Sequence, residues 1–128
     1  MKLLLDTHAF IWWDSTPDKI PAATLLLLED ADNPVSVSLA SLWEIQIKTQ
    51  LGKLALRTDL AEVLRQQQTE NGIGLLPISL PHILELDQLP YHHKDPFDRL
   101  IVAQARIEQA AIITGDRAFK KYDCQTIW

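Results

Sequence analysis

Residues 95–116 read DPFDRLIVAQARIEQAAIITGD, and this stretch decides the fold class. Asp95 is a helix-capping residue, Pro96 suits the first helical position, and Asp98 falls in the first turn. Leu100, Ile101, Ala103, Ala105 and Ile107 carry the helix to about residue 109. Ala111-Ile112-Ile113-Thr114 then reads as a short buried strand, closed by Gly115-Asp116. A helix feeding a short, continuously apolar strand is half of a parallel α/β unit, because strands of that kind are covered on both faces.

The same alternation recurs toward the N-terminus. Lys2-Leu3-Leu4-Leu5 is a short apolar strand closed by Asp6. Residues 22–30 follow Pro21 and read as a helix; Asp32-Asn33-Pro34 is a turn and Val35-Ser36-Val37 a second strand. Ser38 or Ser41 can cap a helix to about residue 50, ended by Gly52. Asp59 can cap another through about residue 70, stopped by Asn71-Gly72. Gly74-Leu75-Leu76-Pro77 is a third strand and residues 79–86 are helical, with Pro81 in the first turn. Residues 87–94 are polar and irregular, and Gln125-Thr126-Ile127 supplies an edge strand. The pattern predicts a single α/β domain over residues 1–128: three layers, α/β/α, around a parallel sheet of four to five strands with helices on both faces.

Length and composition agree. The 128 residues weigh 14.5 kDa, enough for one domain with a real core. Hydrophobic residues at 47% and charged residues at 23% exclude a disordered chain. A lone cysteine, Cys124, excludes an internal disulfide and a cysteine-based zinc cluster. The net charge is -5 and no Lys/Arg run exceeds Lys120-Lys121, so nucleic acid is not gripped by bulk charge. Four acids gathered in one metal site would account for most of that deficit. The first apolar run stops at Asp6, and the seven apolar or small residues at 22–28 fall far short of a membrane span. A cytoplasmic location with no membrane contact is the expectation.

In open parallel sheets, ligands collect outside the carboxyl ends of the strands. Asp6 closes the first strand and Asp116 follows the strand 111–114, so both project from that edge. Glu44 lies near the start of the helix after the second strand. Asp98 opens a helix that runs antiparallel to the strands and therefore begins at the same edge. Converging carboxylates need a compensating cation, and oxygen donors suit hard ions such as Mg²⁺ or Mn²⁺. Such an ion can bridge phosphate oxygens and acidify a bound water. Metal-assisted cleavage of a phosphate ester is the chemistry this pattern points to.

Each acid also has a purely structural account. Asp98 stabilises its helix start by about 0.3–1 kcal/mol through the helix dipole. Glu44 can pair with Ser41 in a capping box or with Lys48 four residues on. Asp116 can be a turn residue. Asp6 closes a buried strand and needs a partner in either account. The joint placement of the four favours a site.

Several segments resemble the PIN-domain ribonucleases, and most closely the VapC-type toxins of prokaryotic toxin–antitoxin pairs. They are Leu3-Leu4-Leu5-Asp6-Thr7-His8 with Trp12-Trp13; Ser41-Leu42-Trp43-Glu44-Ile45 with Lys48 and Gly52-Lys53-Leu54; His93-Lys94-Asp95-Pro96-Phe97-Asp98-Arg99-Leu100-Ile101 with Ala103-Gln104-Ala105; and Ile113-Thr114-Gly115-Asp116. The resemblance implies that Asp6, Glu44, Asp98 and Asp116 are the catalytic, metal-binding acids, none of them substituted. It further implies a Mg²⁺- or Mn²⁺-dependent endoribonuclease, a homodimer, and inhibition by a small cognate antitoxin that also binds DNA. In that reading Glu44 helps place the ion or takes a proton from the attacking water. Thr7 and Thr114 are candidates to orient a carboxylate or a water, and Asp95 to support the site, though its capping role suffices.

Arg99, Arg117 and Lys48 are candidates for RNA contact, with Lys53 and Lys94 weaker ones; a structural ion pair is the default for each arginine. The four histidines show no metal spacing on one helix face. Trp12 and Trp13 suit a partner groove or dimer seam, whereas core packing is the expectation for Trp43. Two rivals compete with the nuclease. One is a non-catalytic protein-binding module of the same fold, using the acidic rim and the tryptophans. The other is a phospho-acceptor receiver domain, which needs paired acids after the first strand where only Asp6 stands.

Overall fold

The computed structural model describes residues 1–91 and 95–128. Among them, five short parallel strands form one sheet: β1 (Leu3–Leu5), β2 (Val35–Ser38), β3 (Gly74–Leu76), β4 (Ala111–Ile113) and β5 (Thr126–Ile127), in the order β3-β2-β1-β4-β5. β1 is central, with Leu5 in register with Val37 on one side and Ile113 on the other. The helices are α1 (Thr7–Ser15), α2 (Ala22–Glu29), α3 (Leu39–Gln50), α4 (Leu60–Asn71), α5 (Leu80–Glu85) and α6 (Pro96–Glu108).

Alternation along the strands splits the core into two layers. Leu3, Leu5, Ala111 and Ile113 pack with Ala9, Phe10, Leu42, Ile45 and Val63, which come from α1, α3 and α4. Leu4 and Ile112 point the other way and pack with Ile101, Val102 and Ala105 of α6, together with Phe119 and Tyr122. The sheet is therefore sandwiched, as the short two-sided apolar strands require.

The caps follow the sequence closely. Asp95 accepts from the Phe97 and Asp98 amides at 2.8 and 3.3 Å and starts α6. Ser38 caps α3 and Asp59 caps α4, while Gly72 ends α4 at φ 65°. One helix departs from expectation. Residues 7–15 form α1, which the sequence reading leaves unassigned. Buried Ala9, Phe10 and Trp13 share it with half-buried Ile11 and Trp12, so no polar stripe betrays it. Asp6 caps this helix by accepting from the Ala9 amide at 2.7 Å.

The strand order places the site. The chain winds outward from β1 to β2 and β3, then crosses back to β4 on the other side of β1. The carboxyl ends of β1 and β4 therefore flank the topological switch point, where open α/β sheets leave a crevice.

Candidate active site

The acids assemble around that crevice. Asp6 follows β1, and its amide donates to Ile113 O of β4 at 3.1 Å. Its side chain is 4% exposed, and burial holds its carboxyl above the usual range. The Thr114 hydroxyl, the Ala9 amide and His8 oppose that shift, and Asp116 adds to it. Thr114 also accepts from the Asp116 amide at 3.0 Å, so one hydroxyl links both acids. Asp116 caps the 3₁₀ turn Arg117–Lys121 by accepting from the Ala118 amide at 2.9 Å. Capping and membership of the site are compatible: both use the N-terminal end of a turn at the strand edge.

Glu44 lies on the inner face of α3 and is 4% exposed. The Thr7 hydroxyl donates to its Oε1 at 2.7 Å, and Lys48 Nζ donates to its Oε2 at 2.8 Å. The Thr7 hydroxyl also touches Ser41 Oγ at 3.1 Å. The hydrogen bond to Glu44 is the chief cause that raises the Lys48 ammonium above its usual range, with Asp95 and Asp98 adding to it. Lys48 remains half-exposed at the rim.

Asp98 sits where these fields meet. Its carboxyl is pushed up to about 7, first by burial and then by Asp95, Glu44, Asp6 and Asp116. The structure thus brings the four acids from residues 6, 44, 98 and 116 within electrostatic reach of one another. Among the described residues no group of three or more acid, histidine or cysteine side chains stands close enough together to hold a metal ion. Mutual repulsion holds bare carboxylates apart, and Mg²⁺ takes only one or two carboxylates while keeping several waters. The donor chemistry of the four acids, oxygen only, suits such a hard ion.

Two side chains differ from expectation. Arg99 is not available to RNA: it is 7% exposed, and its guanidinium donates to the carbonyls of Pro90, Leu86 and Leu89 at 2.9–3.4 Å. It points into the protein, where it gathers carbonyls of the segment that follows α5. Among the described residues its hydrogen-bond partners are these carbonyls and the Tyr122 hydroxyl, not the acid of an ion pair. Trp43 is 60% exposed and meets Phe97 edge-on, at 5.3 Å between ring centres, so it is not a core residue. Trp13 is core. Arg117 and Lys53 are exposed. Lys94, His92 and His93 lie outside the described residues. His82 is buried and bonds Glu108 at 3.0 Å, joining α5 to α6 well apart from the acids in its bonding.

The reading also missed residues. Asp6 and Asp116 share a cavity with His8, Trp12, Lys19 and Trp128. His8 and Trp12 stand four apart after a capping acid, a signal that appears once α1 is recognised as a helix. Trp128 reaches the site only because β5 pairs with β4, which local sequence does not encode.

A PIN domain family model matches residues 3–124. The chain belongs to the PIN domain family. It is similar to Ribonuclease VapC22 of Mycobacterium tuberculosis, at 27% identity over 127 residues, covering 94% of this chain and 91% of that protein. In structure, this PIN domain resembles VapBC2 from Rickettsia felis bound to a DNA fragment from its promoter, with TM-score 0.73, 16% identity, and 99% and 98% of the two chains covered. DNA-bound VapBC from Salmonella typhimurium is similar too, at TM-score 0.68 and 15% identity over 99% and 97%. These likenesses support the three-layer fold over the whole length. Among the described residues, no helix of this PIN domain is long and apolar enough to cross a membrane.

Proposed function

We propose that this PIN domain is a Mg²⁺- or Mn²⁺-dependent endoribonuclease and the toxin of a toxin–antitoxin pair. One observation carries the reading: acids from four distant positions are coupled at the switch point between β1 and β4. The similarity to a named VapC ribonuclease supports the RNA substrate, and the VapBC complexes among its structural neighbours support a small antitoxin partner. A homodimer is part of the proposal.

Asp6, Asp98 and Asp116 would hold the ion, with Glu44 beside them. Bound there, a divalent cation supplies an acidified water and neutralises charge on the phosphodiester. Thr114 orients the Asp6 carboxylate and anchors the Asp116 backbone amide. Thr7 and Lys48 occupy the two Glu44 oxygens, so Glu44 serves best as a fixed negative charge that aims Lys48 at the rim. There the Lys48 ammonium can meet an RNA phosphate, as can Arg117. Without the ion, burial and then the neighbouring acids push the Asp98 carboxyl up to about 7, and a bound cation would favour its ionised form.

The test is expression of Asp6→Asn beside the wild type. The wild type is expected to arrest growth and cleave RNA; the folded Asp6→Asn protein is expected to do neither. Arrest and cleavage that persist in Asp6→Asn would overturn the assignment.

A further inference from the structure

The acid site has a second wall that phosphodiester chemistry does not require. Asp6 and Asp116 line a cavity of about 590 Å³ together with His8, Trp12, Lys19 and Trp128. The Trp12 and Trp128 ring centres are 5.7 Å apart with planes tilted by 49°. His8 lies 5.6 Å from Trp12 at 36°, and Lys19 Nζ lies 5.5 Å from the Trp12 ring centre. Trp128 is held by the sheet: Thr114 N donates to Ile127 O at 3.1 Å, directing the next residue to the β4 edge. Gly115 makes room for it. A Cβ at Gly115 would stand 2.8 Å from the Trp128 indole, so close approach of the ring, not backbone conformation, requires glycine there.

We propose that this aromatic shelf is a nucleobase subsite. An unpaired base flanking the phosphate at the acids stacks on the exposed Trp128 ring, which Trp12 braces, and Lys19 meets the adjoining backbone. The inference rests on the ribonuclease reading and adds which part of the RNA is gripped. Three arguments carry it. The shelf opens into the same cavity as Asp6 and Asp116, so a nucleotide bound at the acids has its base beside the rings. The cavity lies within the range of about 300–1,000 Å³ typical of small-ligand sites. A chain with net charge -5 gains little from general attraction to phosphate, and stacking supplies affinity that charge does not. A base in a duplex is already stacked, so the shelf selects single strands or loops.

The test uses purified full-length protein and a single-stranded oligoribonucleotide whose cleavage position is mapped first. Copies carry an abasic residue at each position flanking that site. Binding is read separately, by anisotropy of a labelled 2′-O-methyl copy without metal. Trp128→Ala is expected to raise both KM and Kd by about 5- to 150-fold with kcat little changed. Trp12 packs partly on the core, so Trp12→Phe, which keeps a ring, is expected to lose less. One abasic position should weaken wild type by the same factor and leave Trp128→Ala unaffected. The wild-type half of this comparison needs no protein variant. If wild type cleaves but neither abasic residues nor ring removal change KM or Kd, the subsite is wrong and the ribonuclease reading stands. If wild type neither cleaves nor binds any oligonucleotide, both fall. If Trp128→Ala keeps its RNA parameters but escapes inhibition by the antitoxin, the shelf belongs to a protein partner and the subsite is overturned.

Discussion

Thr7 donates a 2.7 Å hydrogen bond to Glu44 Oε1, joining the first turn of α1 to α3 across the carboxyl edge of the sheet. With Lys48 on the other oxygen, this bond fixes an otherwise costly buried carboxylate. Thr7→Val keeps the shape and removes the donor. It is expected to destabilise the fold by about 1–3 kcal/mol in a denaturant melt, because Glu44 stays buried with one oxygen unsatisfied. Cleavage should fall through kcat, and Thr7→Ser should restore most of both. A Thr7→Val protein with wild-type stability and kcat would remove Thr7 from the site's support.

Asp98 makes stability fall with rising pH. Its folded carboxyl titrates at about 7, above the ordinary carboxylate value near 4. Folding therefore favours the protonated form: the contribution is fully present below about pH 4 and is lost as pH rises through about 7. In chelator, Asp98→Asn is expected to melt higher than wild type at pH 8, with the gap closing by pH 4. A gap that is constant across that window would mean the carboxylate is not strained in the metal-free protein.

Divalent cations should reverse that strain. An ion that binds only the folded acids raises the melting temperature in proportion to the logarithm of its concentration above Kd. Mg²⁺ or Mn²⁺ is expected to stabilise wild type at pH 8, and Asp98→Asn much less. Equal stabilisation of both proteins would place the ion elsewhere.

Arg99 should behave as a structural residue despite its place beside Asp98. Its buried guanidinium serves three backbone carbonyls and lies over the Tyr91 ring at 4.1 Å. Arg99→Met is expected to cost about 3 kcal/mol, since hydrogen bonds to charged groups are worth about 1.5–3 kcal/mol each and overlap here. The salt dependence of RNA binding by the folded variant should match wild type. A reduced salt slope would restore Arg99 to the RNA contacts.

How far the sequence could be read depended on whether its signals were local. Asp95 and Pro96 announce α6, and the runs Leu3-Leu4-Leu5 and Ala111-Ile112-Ile113 announce strands covered on both faces, so the layers were legible. So was the edge toward which Asp6, Glu44, Asp98 and Asp116 are directed, because Asp6 and Asp116 follow strands, Asp98 opens a helix and Glu44 lies in the second turn of another. α1 was not, because an apolar helix packed on most sides has no stripe. Arg99 and Trp43 were misread because exposure is decided by tertiary packing: a charged residue turned inward to turn carbonyls, and an indole left outside against Phe97. Trp128 joins the site through the pairing of β5 with β4, a contact between strands that no local pattern encodes.

The central claim is that the four acids act together around a divalent ion to cut RNA. Its most direct test is cleavage of single-stranded RNA by the purified protein at pH 8 in chelator, in Mg²⁺, and in Mg²⁺ with Asp98→Asn. Cleavage is expected in the second condition alone. Equal cleavage in all three, from protein free of contaminating nuclease, would contradict it.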